Sequence, residues 1–113
     1  MQSAQEYRES LRQLKRVVYI FGQRVENPVD HPIVRPSTNA VALTYEMAQR
    51  PEHRDLMTAV SHLTGERVNR FTHIHQSTAD LVAKSKMGRF LGAHTGCCFQ
   101  RCVGMDALNA LSI

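Results

Sequence analysis

The sequence has little of what marks membrane or exported proteins. Its longest apolar run is Val17–Phe21, far too short to span a bilayer. The opening residues Met1–Glu6 have neither the basic start nor the apolar core of a signal peptide. We therefore expect a cytoplasmic protein with no membrane segment.

Concentrated positive charge is also missing. The net charge of +4 comes from eleven arginines and three lysines that are scattered along the chain. No run of five or six basic residues occurs, and no basic stretch alternates with aromatic residues, so nucleic-acid binding is not expected. The charge would suit an anionic cofactor or the phosphates of coenzyme A. The six glycines are isolated, which excludes a glycine-rich phosphate loop.

Cysteine is scarce and confined to one place. The three cysteines lie at positions 97, 98 and 102. An odd number of cysteines so close together is poor geometry for a disulfide framework, and a reducing compartment would not maintain one. Metal binding or packing in the core are the uses left for them.

The local patterns in the first half predict two helices and a hairpin. Ser3–Glu6 has the form of a capping box, which predicts a helix over residues 4–15. The β-branched and aromatic residues from Val17, with a turn at Gly22–Gln23, predict a short hairpin over 17–25. An extended loop with prolines 28, 32 and 36 follows, and Ser37 is predicted to cap a helix that runs to about Arg50.

The second half predicts two more helices. Two strands are expected around the Thr64–Gly65 turn, over residues 57–60 and 68–74. Ser77–Asp80 is a second capping pattern, and Gly92 is expected to break the helix that it starts. A last helix is expected from about Thr95 to the end. Because no glycine or proline closes that apolar end, we expect a mainly α, truncated domain over residues 1–113.

The cysteine segment carries the sharpest chemical pattern. On a helix, Cys98 and Cys102 would share one face, with Cβ atoms about 5–6 Å apart. Two thiolates at that separation can hold two corners of an iron–sulfur cluster or two positions on zinc. Cys97 would point about 100° away from Cys98. The alternative is that these cysteines are buried and pack as small apolar groups.

Three histidines could extend a metal site. His94 would lie one turn before Cys98 on the same face only if the last helix began before the expected start at Thr95. His73 and His75 would lie on one side of an extended segment, but no third ligand is in view. Histidines without a metal are the simpler interpretation at all three positions.

The segment Gly96–Ala107 closely resembles the 4-hydroxybutyryl-CoA dehydratases, within the 4-hydroxyphenylacetate 3-hydroxylase-like flavoproteins. The pattern C-F-Q-R-C at 98–102 separates these dehydratases from their relatives. The likeness extends to most of the chain, at residues 19–22, 26–27, 29–32, 35–37, 42–46, 55–58, 69–71 and 75–78.

This resemblance implies an acyl-CoA-dehydrogenase-like fold, of which the chain would be the N-terminal helical domain without the central β and C-terminal helical domains. Cys98 and Cys102 match two ligands of a 4Fe–4S cluster. Gln100 and Arg89 match residues near the acyl-CoA substrate. Most contacts to the flavin, FAD, would lie elsewhere, and Cys97 and His94 match no ligand. The complete enzymes of the family are expected to be homotetramers.

The resemblance implies a lyase that also has isomerase activity. It removes water from 4-hydroxybutyryl-CoA to give crotonyl-CoA through radical chemistry, and it isomerises vinylacetyl-CoA. The isolated chain is expected to be inactive. Two alternatives stay open: part of a flavin-dependent monooxygenase acting on a phenol, which needs no cysteine pair, or a small zinc-binding helical module.

Overall fold

A computed structural model describes residues 1–96 and 101–112 of the 113-residue chain. The described residues are mainly helical, with two small antiparallel hairpins, so the predicted fold class is confirmed at that level. The chain divides into two compact units, Gln2–Glu46 and Met47–Ile113.

The first unit begins with α1, Ala4–Arg12, and the hairpin of β1, Val18–Ile20, with β2, Gln23–Val25. The predicted capping box is present, since the Ser3 hydroxyl accepts from the backbone of Glu6 and the Glu6 carboxylate accepts from Ser3. The helix ends at Arg12, earlier than the expected residue 15. The predicted hairpin is present and pairs Val18 with Val25, but its turn is Phe21–Gly22 and not the expected Gly22–Gln23.

The hairpin turn places a bulky residue in an unfavourable conformation. Phe21 and Gly22 both have positive φ, +50° and +77°. This is the backbone of a type I′ turn, which matches the twist of the strands but suits asparagine and glycine better than phenylalanine. Phe21 is also 91% exposed, so burial does not compensate for the strain.

The second helix, α2, begins two residues before the predicted cap. It covers Arg35–Gln49, and the backbone N–H of Arg35 already donates to the carbonyl of His31. The predicted start at Ser37 was wrong because Pro36 lies in the first turn of α2 and not in the preceding loop. Proline is well placed in a first helical turn, where its missing N–H has no intrahelical partner to lose.

The second unit continues with short elements and two longer helices. A 3₁₀ turn at Pro51–His53 leads into α3, Arg54–Met57, and the hairpin of β3, Thr58–Val60, with β4, Arg67–Asn69. A second 3₁₀ turn, Arg70–Thr72, precedes α4, Thr78–Thr95, and α5, Arg101–Ala110. Its buried apolar residues include Met57, Met87, Leu91 and Met105.

Three predicted boundaries in this unit were wrong. The last helix was expected from about Thr95, but Thr95 ends α4, Gly96 follows with a left-handed φ, and α5 covers Arg101–Ala110. The α4 helix passes through Gly92 and ends only at Thr95, because a glycine inside a helix weakens it without ending it. The strand expected over 68–74 stops at Asn69, where the Asn69 side chain caps the 3₁₀ turn. No helix in the described ranges combines the length and hydropathy of a membrane span.

Candidate functional site

Along the sequence, the predicted site residues fall on the two longest helices of the second unit or between them. The α4 helix ends on Gly96, whose φ of +67° is left-handed and whose N–H donates to the carbonyl of Gly92. A left-handed glycine is a common way to end a helix. The α5 helix begins at Arg101. The first predicted metal ligand, Cys98, comes two residues after Gly96 in the sequence, outside the described residues.

The structure describes the four predicted site residues to different extents. Cys98 and Gln100 lie outside the described residues, so the helical face that Cys98 would share with Cys102 stays a prediction. Cys102 lies in the first turn of α5, where the structure describes its backbone. Arg89 lies on α4 with an exposed side chain. No described carboxylate forms an ion pair with Arg89, so its guanidinium is open to an anion.

His94 does not share a helix with Cys102. It lies in the last turn of α4, before the left-handed Gly96. Its Nδ1 is 2.8 Å from the carbonyl oxygen of Phe90, and its ring centroid is 4.4 Å from that of Phe90. The stripe of His94, Cys98 and Cys102 on one helix was therefore wrong.

A buried network that the sequence did not predict joins the second hairpin to α4. The guanidinium of Arg70 donates to three backbone carbonyls, at distances of 2.8 Å to Leu56, 2.8 Å to Asp55 and 2.6 Å to Thr58. It also lies 3.9 Å from the carboxylate of Asp80. Burial lowers the pKa of Arg70, and Asp80 opposes that shift. The network fixes α3 and β3 against the start of α4.

Asp80 is the centre of a second set of contacts at the start of α4. One oxygen accepts from the backbone N–H groups of Gln76 and Ser77, and the other lies 3.2 Å from Nε2 of His73. The pKa of Asp80 is lowered, first by the hydrogen bond from Gln76. The capping box predicted at Ser77–Asp80 is thereby confirmed, and His73 is an additional partner.

The two histidines that follow the 3₁₀ turn are neighbours in space. Their ring centroids are 6.4 Å apart, and Nδ1 of His73 and Nε2 of His75 are buried without a partner among the described residues. The pKa of His75 is lowered, first by burial and then by the nearby Lys84. Within residues 1–96 and 101–112, no group of three or more histidine, cysteine or acidic residues could hold a metal.

The donor set fits a soft metal or an iron–sulfur cluster only in part. Thiolates are the ligands that iron–sulfur clusters and zinc prefer, and Cys98 and Cys102 would supply two of them. The described residues offer no further ligand cluster. A complete coordination shell would therefore need donors from outside the described part of the chain.

Comparison with known proteins gives the context of these residues. The profile of the 4-hydroxyphenylacetate 3-hydroxylase N-terminal family matches residues 3–113. The chain is 58% identical over 111 residues to a 4-hydroxybutyryl-CoA dehydratase/vinylacetyl-CoA Δ-isomerase of Clostridium aminobutyricum, covering 98% of this chain and 23% of that protein. It is 31% identical over 94 residues to the oxygenase component of a 4-nitrophenol monooxygenase of Rhodococcus opacus, covering 83% of this chain and 17% of that protein.

Solved structures give the same ranking. An archaeal 4-hydroxybutyryl-CoA dehydratase from N. maritimus superposes with a TM-score of 0.90 at 57% identity, covering 96% of this chain and 21% of that one. The oxygenase component of 4-hydroxyphenylacetate 3-monooxygenase, solved with FAD, superposes with a TM-score of 0.69 at 23% identity over 81% of this chain and 19% of that one. The second likeness shows a shared fold alone. The chain thus spans less than a quarter of the length of these relatives.

Proposed function

The chain belongs to the 4-hydroxyphenylacetate 3-hydroxylase N-terminal family, and from that premise we propose that it is the N-terminal part of an enzyme that dehydrates 4-hydroxybutyryl-CoA. The reaction releases one water and leaves crotonyl-CoA, and the same enzyme would isomerise vinylacetyl-CoA. The observation that carries the proposal is the 58% identity over 98% of the chain to a dehydratase, against 31% to a monooxygenase.

The roles of the site residues follow from this function. Cys98 and Cys102 would hold two positions of a 4Fe–4S cluster, and the remaining ligands would come from the rest of the enzyme. When bound, the cluster supplies a Lewis acid and the flavin, FAD, supplies one-electron chemistry. Both cysteines would act as ligands and take no part in proton transfer.

Arg89 and Gln100 would contribute to substrate binding. The exposed Arg89 guanidinium can meet an anionic group of the acyl-CoA, and a guanidinium keeps its charge at any physiological pH. Gln100 lies two residues before Cys102 and offers an amide that can donate to or accept from the substrate. The complete enzyme would be a homotetramer. It would lie in the cytoplasm, since a reducing compartment keeps the two thiols available for iron.

A chimera tests the proposal with the whole chain in place. Residues 1–113 would replace the matching segment of the Clostridium aminobutyricum relative, and the protein would be purified without oxygen. We expect the chimera to contain iron and acid-labile sulfide and to form crotonyl-CoA from 4-hydroxybutyryl-CoA. Cys98→Ser and Cys102→Ser should each lose most of the iron.

Cys97→Ser is the matched control, because it removes a neighbouring thiol that matches no ligand. It should keep the iron content of the parent chimera. Full iron in Cys98→Ser or Cys102→Ser would refute the ligand assignment. A folded chimera that forms no crotonyl-CoA but, when given reduced flavin and O2, converts a phenol to a catechol and water would favour the monooxygenase instead.

A further inference from the structure

The α5 helix, whose first turn contains Cys102, is tied to the preceding segment by the side chain of Asn109. Its Oδ1 accepts from the backbone N–H of His75 at 2.6 Å, and its Nδ2 lies 3.5 Å from the carbonyl oxygen of His73. Nδ2 also donates to the carbonyl of Met105 within the same helix, at 2.9 Å. The amide of Asn109 thus joins α5 to the backbone of residues 73 and 75.

A second contact joins α5 to α4, at Asp106, three residues before Asn109. The ammonium group of Lys84 forms an ion pair with the carboxylate of Asp106. Met105 lies beside this pair and is only 3% exposed, so the same side of α5 combines a buried apolar contact with two polar ones. Contacts on three neighbouring positions fix the rotation of a helix about its axis as well as its position.

The α5 helix depends on these tertiary contacts because its own sequence favours a helix only weakly. Gly104 lies in its interior, where glycine is about 1 kcal/mol less favourable than alanine, and asparagine at 109 is also a poor helix former. Val103 and Leu111 are exposed at 65% and 87%, so they add little burial within the described residues. An asparagine in such a helix is explained by its contacts, since asparagine competes with helical backbone hydrogen bonding.

The position of Cys102 depends on the position of the whole helix. Cys102 precedes Asn109 by seven residues, which is about 10 Å along a helix axis. A rigid helix transmits a tilt or a rotation at one end to the other. Metal ligands tolerate only small displacements, so residues that orient a ligand from a distance affect metal binding.

We propose that Asn109 and the Lys84–Asp106 pair are positioning residues that hold α5 so that Cys102 can ligate the cluster. This inference rests on the proposed function, because it needs a cluster to be held. It adds three residues that neither contact the substrate nor ligate the metal, and it assigns α5 the task of presenting one ligand.

The first test uses Asn109→Ala in the chimera described above, with anaerobic release of iron to a chelator as the measurement. We expect release about tenfold faster than in the parent, the size of effect typical of lost outer-shell contacts. The electron paramagnetic resonance signal of the cluster should also change at temperatures where circular dichroism shows both proteins folded. Asn39→Ala is the control, since it removes an exposed asparagine contact, with Arg8, on another helix.

The second test exchanges the ion pair. Lys84→Asp and Asp106→Lys should each speed the release of iron, and the double variant, which restores opposite charges, should recover much of the parent rate. This test decides the matter if Asn109→Ala does not fold. Parent-like release and spectrum in folded Asn109→Ala, or an exchanged pair that recovers nothing, would overturn the inference. A parent chimera without iron would instead overturn the proposed function.

Discussion

The imidazole of His73 lies against the carboxylate of Asp80, with 3.2 Å between Nε2 and Oδ1. His73 is 5% exposed, while Asp80 is the third residue of α4 and also accepts from Gln76 and Ser77. The start of α4 is therefore held by a tertiary contact in addition to its local cap. Arg70, which lies 3.9 Å from the same carboxylate oxygen, extends this arrangement to the second hairpin.

Replacing Arg70 with alanine should destabilise the second unit strongly. The change leaves the carbonyls of Asp55, Leu56 and Thr58 without their buried donor and removes the charge beside Asp80. We expect a loss of about 3–5 kcal/mol in the free energy of unfolding, as for other broken buried charge networks. Urea unfolding followed by circular dichroism measures this. Arg24→Ala, which breaks an exposed pair with Glu26, should change stability by less than about 1 kcal/mol.

Two glycines near the candidate site should respond to alanine in opposite directions. Gly96→Ala places a side chain on a backbone with φ of +67° and should cost about 1 kcal/mol. Gly88→Ala lies inside α4 at ordinary φ and should stabilise by about 0.5–1 kcal/mol. No described atom lies within 4 Å of either added Cβ, so backbone preference decides both results. Thermal denaturation of the two variants tests this, and equal shifts would contradict it.

The carboxyl group of Asp30 should titrate at unusually low pH. Hydrogen bonds from Arg12 and Asn27 lower the pKa of Asp30 to about 2. Because the folded-state pKa is below the unfolded value, this contribution to stability is present above the ordinary Asp pKa and is lost as pH falls towards 2. Carbon-detected NMR titration measures the pKa directly. Arg12→Leu should move it back towards 3.8, and an unchanged value would refute the role of Arg12.

Stability should decrease at mildly acidic pH because of His75. Burial and Lys84 lower the pKa of His75 in the folded state, so the unfolded chain binds a proton first. The free energy of unfolding then falls as pH drops below about 6.5, by at most about 1.4 kcal/mol per pH unit for one proton. Urea midpoints between pH 5 and 7.5 test this. His75→Asn should flatten the profile, whereas His62→Asn, at an exposed site, should leave it unchanged.

The candidate site shows which features could be predicted from the sequence and which could not. The pattern around Cys98 and Cys102 was sufficient to place the chain in its family, because C-F-Q-R-C together with the segments before it is specific. The same pattern could not place the helix boundary: the last helix was expected from about Thr95, and Thr95 is instead the last residue of α4. The ending of α4 at Gly96 rather than Gly92 depends on backbone conformation, which the identity of a glycine alone does not determine.

By itself, the sequence determined the local elements of this protein: the capping boxes at Ser3 and Ser77 and the hairpin that turns at Gly22. Each of these depends on residues two or three positions apart, so short-range hydrogen bonding is enough to specify it. Only the tertiary structure decided that Arg70 would bond to three carbonyls, that His73 would meet Asp80 and that Asn109 would meet His75. Those contacts join residues on different elements, from 7 positions apart for His73 and Asp80 to 34 for His75 and Asn109, and their partners are chosen by packing of the folded elements.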